Sequence, residues 1–486
     1  MSSIQPSAPG GVSVLRRLAA AVGRAWASGA SRFAREIEPT TFNGYVLGVD
    51  VRDDRLVVTR QRVTITDHGS GVGAELLSAV LRPDEIGLVE RGLADASNRP
   101  EPAIDTAPVT GADPVFLEVD PVLVEARPDA VAPLVAVSLD GASGGAWDRA
   151  GAADELLGIL TRKRLDGDSV WPRLHGGAVA DGDGRAVVVL GRSGAGKSTL
   201  IAHLAHGGLT LVNDEQVTLY RPWGMIAGFT RPVAIKPGGA KFLPPGLSPR
   251  PVTVDVAHTE LFSAGELGTA HRLTAEPVLV VLPDRASHGR PADDATDDSH
   301  SSGVQSEVLG RAGAIEAMAA NNLDMVNRPV AALEAFSWLA ANVPVVRLTY
   351  AETADGAAAV RELLANPPKV DVVNWIVHDA SKDSDAELGE AGATIAASPE
   401  VVWVEIADDV VLYNRESRQL AVLNGSGSAL WKTLPVPAEW LVVPEPPGGD
   451  CGPDSDYPEQ LTPEAAAAFL SELIEHGFLS QPQPAT

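Results

Sequence analysis

The feature that most constrains the fold of this chain is a glycine-rich loop placed between a strand pattern and a helix pattern. Gly191, Gly196, Lys197 and Ser198 satisfy the spacing G-x-x-x-x-G-K-S. The preceding RAVVVL has the continuous apolar character of a buried strand, and KSTLIAHLAHGG has the pattern of a helix that ends at a glycine pair. A strand, this loop and a helix in succession predict an α/β layer structure.

Such a loop binds phosphate for a physical reason. Glycines let the backbone wrap so that successive N–H groups point at the phosphate, and the following helix adds the positive end of its dipole. We expect Lys197 to reach the terminal phosphates and Ser198 to bind Mg²⁺. The alternative is a glycine-rich turn with a solvated lysine. The candidate nucleotide-binding residues are Gly191, Ser193, Gly194, Ala195, Gly196, Lys197, Ser198 and Thr199.

Acidic side chains follow the next predicted strand. The stretch LTLVNDE places Asn213, Asp214 and Glu215 at the carboxyl end of that strand, where α/β sheets build their sites. Asp214 is expected to serve a metal ion or to take a proton from an incoming hydroxyl, and the alternative is a turn residue that caps the next element. The LSGGQ signature of ABC transporters and the guanine-binding NKxD motif are absent from the sequence, which disfavours those two classes.

A histidine lies upstream of the loop. His175, in LHGGAVA, precedes a DGDG turn that leads into the strand before the loop. With GRSGAGKS and the later GGLTLVNDE, residues 174–220 resemble the catalytic core of bacterial HPr kinase/phosphorylase and of the shorter HPr-kinase-related proteins of biosynthetic clusters. The resemblance implies an α/β P-loop kinase core in which Gly191 to Ser198 hold ATP and Mg²⁺.

The same resemblance implies roles for the residues around the loop. Asp214 becomes the base, Glu215 supports the metal, and His175 sits near the transferred phosphoryl group. The candidate catalytic residues are therefore Asp214, His175 and Lys197, and the candidate metal ligands are Ser198, Asp214 and Glu215.

Two further cations follow in FTRPVAIKPGG. Arg231 and Lys236 are candidates for neutralising charge during transfer, because a loose, metaphosphate-like transition state spreads charge over its oxygens. The alternative for each is a solvated surface position. The expected chemistry is in-line transfer from ATP to a hydroxyl, with little covalent participation by the protein.

The C-terminal part is predicted to contain strands followed by helices. From Val401, VVWVEIADDVVLYNRESRQLAVL has the pattern of two or three short strands, and a helix is expected to begin near Ser426. LTPEAAAAFLSELIEHG is a helix capped at Thr462. These elements, with LNGSGSALW at their junction, resemble the PqqD family over residues 399–480. That family has a winged-helix-like fold and recognises peptides in ribosomal peptide maturation.

The PqqD resemblance implies a peptide-binding role for this part. A substrate's leader segment would add as a strand to an exposed sheet edge near residues 401–406 and 410–413. The alternative is that the module only covers the kinase core or mediates oligomerisation, and its tryptophans suit a hydrophobic core equally well. The candidate peptide-binding residues are Val401, Trp403, Val410 and Leu412.

Composition limits the partners and the compartment. A net charge of −26 argues against a nucleic-acid partner, because a phosphate backbone would be repelled. Cys451 is the only cysteine, which excludes an intrachain disulfide and favours a cytoplasmic setting. No uninterrupted apolar run has the length of a membrane-spanning helix. Residues 12–35 form a basic amphipathic helix by pattern, which packs on its own acidic protein or contacts a membrane surface or another chain.

Composition shifts also predict the domain organisation. The expected parts are a basic helix or tail at 1–40, a mainly β domain at 41–150, an HPr-kinase-like α/β domain at 151–370 with a mobile loop at 284–303, a linker at 371–398, a winged-helix-like PqqD domain at 399–480 and a tail at 481–486.

Three functions compete at this point. The first is an ATP- and Mg²⁺-dependent kinase that phosphorylates a hydroxyl of a peptide or protein held by the C-terminal module, in ribosomal peptide maturation. The second is a small-molecule kinase of a biosynthetic pathway, in which the C-terminal part is structural. The third is a nucleotide-binding scaffold without transfer activity. The sequence leaves open the acceptor, the oligomeric state and the role of residues 41–150.

Overall fold

The structure is a computed structural model. It describes residues 40–52, 55–67, 105–110, 115–122, 134–139, 142–147, 158, 171–247, 260–285, 303–320, 322, 324–383, 394–423, 425–441 and 462–480. The predicted N-terminal basic helix and most of the predicted mobile loop, residues 286–302, lie outside the described residues.

Six strands form an N-terminal sheet. They are β1 (Thr40–Arg52), β2 (Arg55–Asp67), β3 (Asp105–Thr110), β4 (Val115–Val122), β5 (Leu134–Leu139) and β6 (Ala142–Trp147). Strands β1 and β2 pair as an antiparallel hairpin, and the sheet continues in the order β1-β2-β4-β5-β6, with β3 beside β2. The sequence predicts a mainly β segment over the same part of the chain.

The next ten strands include the central sheet. They are β7 (Arg173–Ala180), β8 (Arg185–Leu190), β9 (Thr210–Asn213), β10 (Gln216–Tyr220), β11 (Met225–Ala227), β12 (Val233–Ile235), β13 (Glu260–Phe262), β14 (Thr274–Arg285), β15 (Gln305–Val308) and β16 (Val345–Tyr350). Eight of them form one sheet in the order β11-β10-β7-β8-β14-β16-β15, with β9 beside β7, whereas β12 and β13 pair separately. Strands β8, β14 and β16 are parallel neighbours, as expected for an α/β layer.

Helices lie on both faces of the central sheet. They are α1 (Lys197–His206), α2 (Pro237–Ala240), α3 (Arg311–Ala319), α4 (Asp324–Asn327), α5 (Pro329–Asn342) and α6 (Thr353–Ala365). Val187 and Val189 of β8 share a buried cluster with Leu200 of α1 and Val360 of α6. Val188 belongs to the opposite cluster, which includes α3 and α5. Because helices cover both faces, the strand is apolar throughout, which explains the RAVVVL pattern.

The β1–β2 hairpin shares a core with the central sheet. Leu47 and Thr230 exchange two hydrogen bonds: Thr230 N–H donates to Leu47 O at 2.7 Å, and Leu47 N–H donates to the Thr230 side-chain Oγ1 at 2.8 Å. The Tyr220 hydroxyl donates to Val49 O at 3.0 Å. Apolar residues of the hairpin are buried with Tyr220 and Leu273 in one cluster. The hairpin therefore braces the chain segment that leads to Arg231.

We predict that Gly176→Ala destabilises the fold by about 1 to 3 kcal/mol, because overpacking a core position carries a cost of that order. A Cβ at Gly176, in β7, would lie 2.4 Å from Val189 O and 2.5 Å from Leu190 Cδ2. The matched control is Gly182→Ala, since a Cβ there has no heavy atom within 4 Å. Thermal unfolding of both variants measures the difference. Equal melting temperatures would contradict the prediction.

The C-terminal part contains a four-stranded sheet and two main helices. Its elements are β17 (Trp375–Asp379), α7 (Ala380–Asp383), β18 (Thr394–Ile395), β19 (Val401–Ile406), β20 (Asp409–Asn414), β21 (Leu420–Leu423), α8 (Gly425–Trp431), β22 (Val436–Pro437) and α9 (Pro463–Glu475). The sheet order is β17-β19-β20-β21, and β18 pairs with β22. One face packs on α8 and α9 and the other joins the core beneath α3 and α5. No helix among the described residues is long and apolar enough to cross a membrane.

Helix boundaries in this part agree with the sequence signals. The Thr462 side chain caps α9 by accepting from Ala465 N–H at 3.3 Å, and Pro463 is the first helical residue. Gly477 follows the helix with a φ of 72°, which favours glycine.

Two predicted boundaries require correction. The expected linker at 371–398 contains β17, whose five residues pair with β19 from Trp375↔Ile406 to Asp379↔Val402. The acidic composition that indicated a linker applies mainly to residues 384–393, which lie outside the described part of the chain. The expected mobile loop at 284–303 begins too early, because Asp284 and Arg285 extend β14 and pair with Thr349 and Tyr350 of β16.

Candidate functional site

The glycine-rich loop joins β8 to α1 as its sequence predicts. Gly194 and Gly196 have φ values of 88° and 89°, a left-handed backbone that glycine adopts without strain. Gly196 is the N-cap of α1, and no side chain caps the helix there. The first backbone N–H groups of α1 therefore have no side-chain acceptor and point toward the loop, which is the arrangement that binds anions.

Lys197 is held by its own loop. Its Nζ donates to Gly191 O at 2.8 Å and to Arg192 O at 3.3 Å, and the residue is 8% exposed. Burial lowers the pKa of Lys197, while Glu215 and Asp214 act in the opposite direction. The ammonium is thus already among oxygen atoms at the loop, and an entering phosphate would exchange one set of oxygen ligands for another.

Asp214 is a buried carboxyl beside the loop. It is 1% exposed, and its Oδ2 accepts from Ala234 N–H at 3.0 Å. Its Oδ1 is buried and has no hydrogen-bond partner among the described residues. Burial raises the pKa of Asp214 to about 7, against the effects of Arg231, the Ala234 N–H and Ser198, while Glu215 raises it further. This carboxyl therefore changes its protonation near neutral pH.

The turn that carries the acidic pair is fixed by Asn213. The Asn213 side chain donates to Phe229 O at 2.7 Å, and its Oδ1 accepts from the N–H groups of Glu215 and Gln216, each at 2.9 Å. Asn213 is fully buried. We therefore assign Asn213 the role of positioning the two carboxylates. The sequence pattern places all three residues together and does not distinguish this role.

His175 and Glu215 face each other across paired strands. His175 Nδ1 lies 3.7 Å from Glu215 Oε1, and strand pairing sets His175 opposite Gln216. Burial lowers the pKa of His175; Glu215 opposes this shift, whereas Lys197, Lys236 and Arg231 add to it. The imidazole is therefore neutral near pH 7 and able to accept a proton.

These groups surround a cavity of about 670 Å³. That volume lies in the range of small-molecule sites, about 300 to 1,000 Å³. The loop and helix contribute Ser193, Gly194, Gly196, Lys197, Ser198 and Thr199. The facing walls contribute His175, Glu215, Arg231, Lys236, Phe242 and Arg285. Four of these side chains are cationic and one is acidic, so the cavity favours anions although the chain carries a net charge of −26.

The candidate residues differ in whether they line the cavity. Gly191 and Ala195 belong to the loop but do not line the cavity, and Asp214 lies behind the wall that Glu215 forms. Arg231 is only 6% exposed, which does not fit the solvated-surface alternative. Lys236 is exposed, and its Nζ donates to Ser193 Oγ at 3.1 Å across the cavity mouth.

The candidate metal ligands fit Mg²⁺ in type. Ser198 and Glu215 line the cavity, and Asp214 has a buried oxygen without a partner among the described residues. The described residues contain no group of three or more His, Cys, Asp or Glu side chains arranged to hold a metal ion. Mg²⁺ does not require one, because it is usually held by one or two carboxylates together with phosphates and water.

The candidate peptide-binding residues are not at an exposed sheet edge. Strands β19 and β20 are interior strands, flanked by β17 and β21. Val401, Val410 and Leu412 are fully buried beneath α8 and α9. Trp403 is partly buried and stacks on His378 with 4.7 Å between ring centroids. This corrects the expectation, and the physical reason is that β17, in the presumed linker, covers the edge of β19.

Two cavity residues were not candidates from the sequence. Phe242 follows the short helix α2, and Arg285 ends β14, 43 positions later. Neither belongs to a motif. The signal available in the sequence for Arg285 is its position at the carboxyl end of a parallel strand beside β8, where α/β proteins bind ligands.

Among known proteins, the chain has similarity to solved structures. No family model matches the chain, and no curated protein does. The HPr(Ser) kinase/phosphatase from Coxiella burnetii is 12% identical, with a TM-score of 0.21, over 40% of this chain and 95% of that chain.

Proposed function

We propose that this protein is an ATP- and Mg²⁺-dependent kinase that transfers the γ-phosphoryl group to a hydroxyl of a peptide or protein. The observation that carries the proposal is the buried Asp214 carboxyl, with a pKa of about 7, directly behind the wall of a cationic cavity that Lys197 and Ser198 line. A phosphate-binding loop alone indicates nucleotide binding. A carboxyl that is ionisable near neutral pH at the same place supplies a group able to take a proton.

The side chains divide the work of the transfer. The backbone N–H groups of the loop and Lys197 bind the phosphates, and Arg231 and Lys236 oppose the charge that spreads over the transferred group. The bond from the γ-phosphorus to the oxygen that leaves with ADP breaks, and a bond to the acceptor oxygen forms. The hydroxyl proton passes to the base. Asp214 is the proposed base, with the neutral imidazole of His175 as the alternative acceptor on the cavity wall.

Mg²⁺ would be held by Ser198 and the acidic pair. Its contribution when bound is to neutralise charge on the phosphate oxygens. The unpaired Oδ1 of Asp214 and the cavity position of Glu215 support this assignment. A fully buried carboxylate oxygen without a partner is costly, and a cation or a donated proton would remove that cost.

We further propose that the peptide docks on strand β21 rather than on β19 or β20. Among the described strands, β21 pairs only with β20, so its second edge has no strand partner within the described part of the chain. Val422 of β21 is 38% exposed. Addition of an extended segment to such an edge uses backbone hydrogen bonds for affinity. Leader recognition in ribosomal peptide maturation remains the role that the PqqD resemblance implies for this sheet.

The test of the proposed function is direct. Purified full-length protein is incubated with ATP, Mg²⁺ and a precursor peptide encoded near its gene, and the peptide is weighed by mass spectrometry. Addition of one phosphate mass to a serine or threonine supports the proposal. Labelling of metabolites but not of peptide would favour the small-molecule kinase, and tight ATP binding without any transfer would favour the scaffold.

We predict that Val422→Pro weakens peptide binding by about 2-fold to 10-fold, the value of one neutral hydrogen bond. Asn414 N–H donates to Gln419 O at 3.0 Å. Alternation along the antiparallel ladder then directs the Val422 N–H away from β20, toward the open edge. Proline removes that donor. The control, Val422→Thr, keeps it.

Peptide affinity and ATP affinity are measured for both variants by titration calorimetry. The proline variant should lose peptide affinity alone, and the threonine variant should lose neither. Equal peptide affinity in both variants would place the peptide elsewhere.

A further inference from the structure

One wall of the cavity has, apart from Lys236, no role in the transfer described above. The chain from Lys236 to Phe242 runs along the loop and α1. Lys236 contacts Ser193, a Cβ at Gly239 would lie 3.0 Å from Thr199 Oγ1, and His203 Nε2–H donates to Phe242 O at 2.7 Å. The segment thus starts at the phosphate-binding loop and ends two turns along α1. Phe242 is at the end farther from the loop.

Arg285 stacks on Phe242 at that end. The Arg285 Cζ lies 3.2 Å from the Phe242 ring centroid, and Lys241 Nζ lies 4.8 Å from the same centroid. Arg285 Nε–H also donates to Ala351 O at 3.4 Å. Both stacked side chains are partly buried and line the cavity. The guanidinium is therefore fixed as a plane at the cavity surface by an aromatic ring and a backbone carbonyl.

The position of Arg285 relative to the loop follows from the sheet. Val281 of β14 pairs with Val189 of β8, one residue before β8 ends. Arg285 lies four residues further along β14, at the carboxyl end of the parallel strands. The loop and Arg285 therefore open into one cavity from neighbouring strands. A ligand with phosphates on the loop extends from there across the cavity.

We propose that Arg285, held flat on Phe242, is the subsite for the aromatic base of a nucleoside triphosphate. This rests on the proposed function, because it takes the phosphates to lie on the loop at Lys197. A guanidinium is planar and weakly hydrated, and it stacks on aromatic faces. Stacking recognises the plane of a base without hydrogen-bonding to its edge. The site accordingly binds the base as a flat surface.

A different role for Arg285 is electrostatic, since its charge attracts phosphates. The two roles separate with Arg285→Lys, which retains the positive charge but lacks the planar group. They also separate with inorganic tripolyphosphate, which carries the phosphates of the nucleotide without a base. Phe242→Leu removes the aromatic support while leaving Arg285 in the chain.

The experiment is titration calorimetry of the full chain with Mg²⁺-ATP and with Mg²⁺-tripolyphosphate at one ionic strength. Arg285→Lys and Phe242→Leu are each expected to weaken ATP binding by about 10-fold to 100-fold, the size of one base-stacking contact, and to change tripolyphosphate binding less than 3-fold. Thermal unfolding of each variant identifies a loss that comes from misfolding. Because Arg285 and Phe242 lie on separate segments of the chain, one variant still tests the proposal if the other fails to fold.

Each remaining outcome overturns the inference in a distinguishable way. If both probes weaken equally in folded Arg285→Lys, the guanidinium contacts phosphate. If neither weakens in the folded variants, the base lies elsewhere while the loop still binds phosphates. If the wild-type protein binds neither ATP nor tripolyphosphate, the proposed kinase function fails, and the base subsite fails with it.

Discussion

Asp214→Asn is expected to lower the rate of phosphoryl transfer by about 10²-fold to 10⁴-fold, the usual contribution of a general base. Asparagine occupies nearly the same volume and can still accept from Ala234 N–H, but it takes no proton. The variant should therefore bind ATP and fold. Single-turnover transfer to the peptide, with phosphate mass as the readout, measures the loss. The control is Asp408→Asn, in an exposed turn of the C-terminal sheet.

The pH dependence identifies which residue is the base. Asp214 acts as a base only when ionised. Its pKa of about 7 in the metal-free protein therefore makes the wild-type kcat/KM for Mg²⁺-ATP, which reports on the free enzyme, rise as the pH passes through about 7. Burial lowers the pKa of His175, so a histidine base would place the midpoint below 6.5. A midpoint below 6.5 that persists in Asp214→Asn would transfer the role to His175.

The pH dependence of the free energy of unfolding tests the raised pKa of Asp214 independently of activity. Folding raises the pKa of Asp214 from 3.8 to about 7. The protonated carboxyl therefore favours the folded state below the unfolded pKa, and that contribution is lost as the pH rises toward about 7, at about 1.4 kcal/mol per pH unit. Asp214→Asn lacks this loss. Its stability relative to wild type should increase between pH 4 and pH 8.

Lys197→Met is expected to lower both ATP affinity and the rate of phosphoryl transfer. Methionine keeps the length of the side chain but removes the charge that Gly191 O and Arg192 O now hold. We expect ATP affinity to fall about 10-fold to 100-fold, the value of a charged hydrogen bond. The transfer step should slow by about 10²-fold to 10³-fold more, as when a donor to transition-state charge is lost.

Calorimetry with ATP and the transfer assay measure the two components separately. Lys369→Met provides the control, since Lys369 is exposed and lies outside the cavity walls. ATP affinity that is unchanged in Lys197→Met would show that the loop is a structural turn. That outcome would also remove the basis for the metal and base assignments.

The local features of this site could be predicted from sequence because short-range rules determine them. The RAVVVL strand, the positive-φ glycines of the loop and the start of α1 each depend on neighbours within about ten residues. His175 and Glu215 were also candidates, and pairing of β7 with β10 brings them together. Their distance and the neutral state of His175 depend on tertiary burial.

Residues that converge from distant parts of the chain could not be predicted. Phe242 and Arg285 meet because β14 lies beside β8 while the chain after β12 follows α1, and no local pattern encodes that meeting. Arg285 also falls within a span that composition marks as a loop. Its pairing with Tyr350 of β16 nevertheless keeps Arg285 in a strand.

The misplaced peptide edge has a similar cause. Val401 and Leu412 lie in the short apolar runs VVWV and VVLY, and these runs indicate that both residues belong to buried strands. They do not show which strands lie at the edge. That depends on β17, whose short sequence follows a proline-rich stretch and precedes an acidic one. A strand of five residues in such surroundings carries little signal of its own.

The hydrogen bonds between the β1–β2 hairpin and Thr230 limit where this protein can be truncated. A fragment beginning at residue 151 would retain the loop, Asp214 and the whole central sheet. It would also expose Tyr220 and Leu273 to water and release the partner of Thr230, the residue before Arg231. The part that carries the loop therefore depends on the hairpin, because a wall of its cavity is anchored by residues encoded some 180 positions earlier.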